Sequence, residues 1–208
     1  MVTDVSALPP ADRAAIVDLL VAAFFNDPMQ SWLFPRPRTR AGHLHRFYDL
    51  DIEHRLAGTA QVERSGRHAV GFWHPPGTAD PLTASTAARL IPAVRPVLGH
   101  HPVKAARVLR GVLQRRPAEA HWYLSHLAVH PDHQGRGHGQ RLLRRGIDQA
   151  EADGVGVYLE TANADNLPFY QASGLHEVGV VRVAGAPTVW SLWWSPIDDR
   201  LLEPRREP

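Results

Sequence analysis

The stretch His133-Gln134-Gly135-Arg136-Gly137-His138-Gly139-Gln140-Arg141 decides how this chain is read. The apolar run Leu124 to Val129 precedes it, and a helical pattern running to about Asp153 follows. Strand, glycine turn and helix N-terminus, in that order, make a seat for a pyrophosphate. N–H groups of a first helical turn lack intrahelical acceptors and carry partial positive charge, so anions settle there. Glycines on alternate positions let the backbone approach a ligand and adopt conformations that a Cβ blocks.

The register narrows the choice of pyrophosphate. A dinucleotide fingerprint needs glycine at position 140, which is Gln, and the turn lies in the second half of the chain. A nucleoside-triphosphate loop needs a lysine before the helix, and this turn has none.

Working outward, strand 121–129 leads into turn 130–135 and helix 137–152, whose core face is Leu142, Leu143, Ile147 and Ala150. Gly154 ends that helix. Strand 155–160 follows, then a short helix from Asn163 to Ser173 stopped by Gly174, then strands at about 175–183 and 187–195. The strand–helix–strand order implies a parallel pair, and the last two strands, joined around Ala184-Gly185-Ala186, read as antiparallel. Upstream, 11–25 and 39–57 read as helices, and Asn26 to Pro37 as an irregular aromatic loop. Strands at 59–64 and 67–74 form a hairpin about Ser65-Gly66. Residues 78–118 read as a helical insertion or lid, with patches at 84–91 and 103–115 broken by Pro92, Pro96 and Pro102. The expected fold is α/β, a mixed sheet with helices on both faces.

Composition excludes several classes. The 208 residues suit one globular domain, and no apolar run approaches the roughly 20 residues of a membrane span. There is no signal-peptide layout and no cysteine, so disulfides, thiolate metal sites and a cysteine nucleophile are excluded, and a cytoplasmic setting is expected. The net charge of +2 is mild, with acids interspersed among the arginines, so nucleic acid is not an expected partner. Thirteen histidines raise the question of a metal. The four-residue spacing of His126 and His130 separates them by roughly 13 Å along a strand, and no metal site is expected.

The run Gln134-Gly135-Arg136-Gly137-His138-Gly139 resembles the acyl-CoA-binding motif of the GCN5-related N-acetyltransferase (GNAT) superfamily. Residues 157–175, with Glu160, Asn166, Phe169-Tyr170 and Gly174-Leu175, resemble its second signature. The spacing of the two also fits. Ala22-Ala23-Phe24 followed by Asp27-Pro28 is a similar opening. Within the superfamily, Trp122, Val129 to Gly135, Leu159-Glu160-Thr161 and Asn166 to Tyr170 are most similar to the puromycin N-acetyltransferase-like group.

The resemblance implies a single GNAT-type domain over 1–208 with a splayed sheet, acetyl-CoA as donor and a primary amine of a small molecule as acceptor. It implies that the backbone of Leu127, Ala128 and Val129 pairs with the pantetheine arm. Gln134, Gly135, Arg136, Gly137, His138, Gly139 and Gln140 would hold the pyrophosphate, and Asn166 or Asn163 would cap the following helix, bond the pantetheine amide, or both. Tyr170 would protonate the leaving thiolate and Glu160 would be the base. Tyr123 and Ser125 are other positions for a base, and period-2 alternation puts both on one face with Leu127 and His126 on the opposite one. A non-catalytic acyl-CoA-binding module and a protein or peptide acetyltransferase are the competing readings. The oligomeric state is left open between monomer and homodimer.

Overall fold

A computed structural model describes residues 2–4, 8–56, 59–78 and 101–196. Helix α1 (Pro10–Phe24) buries Ile16, Val17, Leu19, Leu20 and Val21. Segment 26–37 is not the irregular loop expected, because α2 (Pro28–Leu33) forms within it. Asp27 Oδ1 accepts the N–H groups of Met29 and Gln30 at 2.9 and 3.2 Å. Pro28 takes the first helical position, where its missing N–H costs nothing. Helix α3 (Pro37–Leu56) follows, then the hairpin β2 (Gln61–Ser65) and β3 (Ala69–His74).

The described part of the insertion holds α4 (Pro102–Leu113), matching the expected patch at 103–115. The patch at 84–91 lies outside the described residues. Strand β4 (His121–Val129) runs into a 3-10 turn at Pro131–His133 and then α5 (His138–Asp153). Gly154, at φ 68°, caps α5 in a conformation that favours glycine. Strand β5 (Gly156–Thr161), a 3-10 turn at Ala164–Asn166, α6 (Leu167–Ala172), β6 (His176–Val181) and β7 (Val189–Trp194) complete the order. A short strand β1 (Val2–Asp4) adds to the edge.

The sheet order is β1-β2-β3-β4-β5-β7-β6. Only β4–β5 is parallel, as the long crossover requires. One face carries α1 and α3, whose Leu20 and Tyr48 share a cluster with Val62, Val70, Phe72 and Ala128 of the sheet. The other carries α5 and α6 over Trp73, Leu124, Leu159 and Leu192. Leu142, Leu143 and Ile147 of α5 are fully buried, each contributing about 1.5–3 kcal/mol through area removed from water. Helix α4 seats Val108 and Val112 against Val181 and Val189. Gly111 permits that approach, since a Cβ there would lie 2.7 Å from Val181 Cγ1.

Two irregularities shape the centre. The β4–β5 pairing runs only from His121↔Gly156 to Leu124↔Leu159, so β4 leaves its neighbour for its last five residues. In addition, β3 pairs Phe72 with His126 but Trp73 with Leu124, leaving Ser125 as an extra residue. This bulge resets the alternation of β4. It overturns the expectation that Tyr123, Ser125 and Leu127 share a face. Tyr123 pairs with His74, whereas Leu127 packs into the α5-side cluster with Trp73.

Candidate active site

The glycine turn sits at the mouth of the splayed strands. Gly135 and Gly137 adopt φ 72° and 75°. A Cβ at Gly135 would meet nothing within 4 Å, so the cradle there is open. Gly139 lies close under it, where a Cβ would come 3.3 Å from Val129 Cγ2 and 3.6 Å from Phe169 Cζ. Arg141 N–H donates to Gly137 O at 3.0 Å, closing the first turn of α5. The N–H groups of His138, Gly139 and Gln140 precede that bond and point out of the helix. The side chain of Gln134 donates to Val129 O at 3.4 Å, and Arg141 Nη1 donates to Arg136 O at 3.2 Å. The first bond ties the turn to the end of β4, and the second ties α5 to the turn. A concave backbone with outward N–H groups and two arginines fits a pyrophosphate.

Leu127, Ala128 and Val129 pair with Gly71, Val70 and Ala69 on one side only, because β5 has departed. Asn163 Oδ1 accepts Asp165 N–H at 3.1 Å and caps the 3-10 turn. Asn166 makes no such cap and is exposed, so the two asparagines part in role.

The strand pairing ends at Leu124↔Leu159, and two sequence candidates flank that point. Tyr170, 7% exposed, packs in the cluster with Leu124 and Leu159. Burial, and then the negative charge of Asp27, push its phenol well above the ordinary tyrosine value. Glu160 is the next residue along β5 and points to the other face. There its Oε1 lies 3.5 Å from Arg116 Nε, and the Arg116 guanidinium stands 4.4 Å over the Tyr123 ring. Tyr158 O–H donates to Ser191 Oγ at 3.1 Å on the same face. Burial first and the Glu160 charge second push the Tyr158 phenol up. His74 Nε2 lies 3.1 Å from Ser125 Oγ, which donates to Phe72 O at 3.2 Å. His126 stands elsewhere, 3.7 Å from Asp51 and edge-on to Phe24, Tyr48 and Phe72.

Sequence reasoning did not find Arg116, His74 or Asp27 as neighbours of the site. Arg116 follows α4 in a stretch with no motif. Asp27-Pro28 carried a helix-cap signal that aromatic neighbours obscured. Among the described residues, no group of three His, Cys, Asp or Glu side chains is arranged to hold a metal ion. No described helix is long and apolar enough to cross a membrane.

A parallel pair splays behind the glycine turn, and Tyr170 shares a cluster with Leu124 and Leu159, the last residues of that pairing. Residues 13–175 match the acetyltransferase (GNAT) family, and the chain belongs to it. Its reaction class is therefore acetyl-CoA-dependent N-acetyl transfer. The chain is similar to the solved structure described as histone acetyltransferase HPA2 and related acetyltransferase from Corynebacterium glutamicum. That likeness has 28% identity and a TM-score of 0.64, covering 95% of this chain and 96% of that one. It shares its fold with an agmatine N-acetyltransferase at 15% identity and TM-score 0.61, over 94% and 98% of the two chains. A polyamine N-acetyltransferase of Drosophila melanogaster gives 15% and 0.59, over 94% and 99%.

Proposed function

We propose that this enzyme moves an acetyl group from acetyl-CoA to a primary amine of a small molecule by direct attack. The observation that carries the reading is the parting of β4 from β5 after Leu124↔Leu159, with Tyr170 on one face and Glu160 on the other. The turn 134–140 holds the pyrophosphate through its backbone, and the unpaired edge of Leu127, Ala128 and Val129 receives the pantetheine arm. Asn166, free of a capping duty, is placed to bond that arm. As the amine nitrogen bonds to the acyl carbon and the C–S bond breaks, Glu160 takes the amine proton, directly or through water. Tyr170 gives its proton to the departing thiolate. A phenol held above its ordinary value carries its proton at neutral pH.

Support for a small acceptor comes from the walls on the Glu160 side. Helix α4 closes on β6 and β7, and Trp32 Nε1–H of α2 donates to Gly185 O at 2.8 Å. Arg116 and Tyr158 stand beside Glu160, and Arg116 lies over the Tyr123 ring. The motif pieces around Trp122 and Asn166–Tyr170 favour an amine of the puromycin type. The Corynebacterium relative, described as a histone acetyltransferase, makes a lysine side chain the second acceptor class.

A thiol-release assay tests this directly. The panel is a puromycin-type aminonucleoside, agmatine, a polyamine, an arylalkylamine and a lysine peptide. Turnover on a small amine above the peptide is expected. Preference for the peptide would transfer the reading to protein acetylation. Tight CoA binding with no turnover on any amine would make the chain a binding module.

A further inference from the structure

Four histidines converge on the glycine turn from three parts of the fold. His68 comes from the β2–β3 turn, His130 and His133 from the turn after β4, and His138 from the first residue of α5. His68 and His133 stack with ring centroids 3.7 Å apart and planes 20° apart. His130 and His138 lie 5.8 and 6.4 Å from His133. His130 N–H donates to His68 O at 2.8 Å, fixing the hairpin to the turn.

The polar contacts of the rings favour one protonation state. Arg136 Nη1 lies 3.4 Å from His133 Nδ1, and Arg141 Nη2 lies 3.0 Å from His138 Nδ1. A guanidinium only donates, so a bond at either contact calls for an accepting Nδ1, which a neutral ring with its proton on Nε2 supplies. Ser65 Oγ, 2.9 Å from His138 Nδ1, fits the same tautomer as a donor. The charges facing the rings agree. Desolvation in the stack, then His68, Arg136, His130 and His138, hold His133 below the ordinary histidine value. Desolvation, then Arg141, His68 and Arg136, do the same for His138. The acid beside the cluster is Asp132, whose Oδ2 lies 3.8 Å from His130 Nδ1. The site thus gathers cationic donors around neutral rings at the place where a dianionic ligand is expected.

We infer that His68, His133 and His138 join Arg136 and Arg141 in holding the donor's phosphates, and that the turn takes up protons as the phosphates arrive. The inference rests on the acyl-CoA reading of the turn. Phosphate oxygens draw Arg136 and Arg141 into charge-assisted bonds and release both Nδ1 atoms. Each ring then gains an anion beside it and loses its bond to a guanidinium, which favours the imidazolium. His68 lies more than sixty residues before the acyl-CoA motif, yet stands in the same anion site. Linkage fixes the sign: a group whose proton affinity rises on binding takes up a proton, and affinity for the ligand rises as pH falls.

Calorimetric titration with CoA at pH 7.5, in two buffers of different ionisation enthalpy, counts the protons. Net uptake is expected, with Kd weakening by up to about tenfold per pH unit for each proton bound. Cationic contacts to CoA's own phosphate monoester would release protons, so uptake identifies protein groups. His133→Gln/His138→Gln should abolish the uptake, and His68→Gln should reduce it and weaken binding. Imidazole 15N spectra of the wild-type protein give a readout that needs no variant. Nε2–H tautomers are expected in the free protein and imidazolium after CoA. Zero uptake or release in the wild type, uptake unchanged in the double variant, or rings still neutral with CoA bound would overturn the inference. Failure of CoA to bind at all would instead overturn the donor reading beneath it.

Discussion

Arg116 Nε stands 3.5 Å from Glu160 Oε1, and the side chains of the pair are 13% and 10% exposed. An ion pair this buried serves as a charge-matched unit, and removing one partner leaves the other uncompensated. Arg116→Gln should therefore lower stability by about 3 kcal/mol. The Arg116→Gln/Glu160→Gln double variant should recover much of that loss in thermal melts. Equal losses in the single and double variants would remove the coupling.

Glu160→Gln alone also tests the base. General-base assistance is worth roughly 10²–10⁴-fold, so turnover should fall by about two orders of magnitude near neutral pH. The deficit should shrink as pH approaches the pKa of the acceptor amine, where the neutral amine needs no base. A deficit of constant size across pH would assign Glu160 to structure alone.

Tyr170→Phe should cut kcat by about 10²-fold or more while CoA affinity stays nearly unchanged. Because burial and Asp27 push the phenol upward, the wild type should keep its acid form through alkaline assays. The pH–rate profile should show no descending limb from Tyr170 up to pH about 10. Unaltered turnover in the variant would exclude the acid role.

Gly137→Ala places a side-chain-bearing residue at φ 75°, 3.1 Å from Arg141 Nη1. The left-handed conformation costs about 1–2 kcal/mol, and relief would distort the cradle. CoA affinity should fall more than overall stability does. Gly146→Ala should do the reverse, because its Cβ would overlap the Trp73 ring between α5 and β3. Calorimetry with CoA and thermal melts separate the two effects.

Glu63 is 4% exposed on β2, and its Oε2 has no hydrogen-bond partner among the described residues. Burial raises its carboxyl above the ordinary value, with Arg145 opposing. A raised carboxyl stabilises the fold fully below its unfolded value and loses that contribution as pH rises through the folded one. Glu63→Gln should therefore raise Tm at neutral pH and make no difference near pH 4. Melts from pH 4 to 8 that show a constant offset would contradict this.

The turn from His133 to Arg141, the length of β4 and the core face of α5 are written in consecutive residues. Glycines that must turn left-handed, a period of 2 and a period of 3.6 are properties of the local chain, so reading them needs no neighbour. Tyr170 and Glu160 are candidates through the resemblance of residues 157–175 to a family signature. Packing between distant segments decided the rest. The bulge at Ser125 exists only because β3 and β4 pair out of step, and it turned Tyr123 away from Leu127. Strand β7 slips between β5 and β6, an order that no local pattern encodes. Arg116 meets Glu160 across 44 residues and His68 meets His133 across 65, and both contacts arise from the folding of the sheet. By itself the sequence determined where the left-handed glycine turn lies, because backbone conformation at glycine is local. Which charges surround Glu160 and Tyr170 was decided only by the tertiary structure, because electrostatic partners are chosen by distance in space.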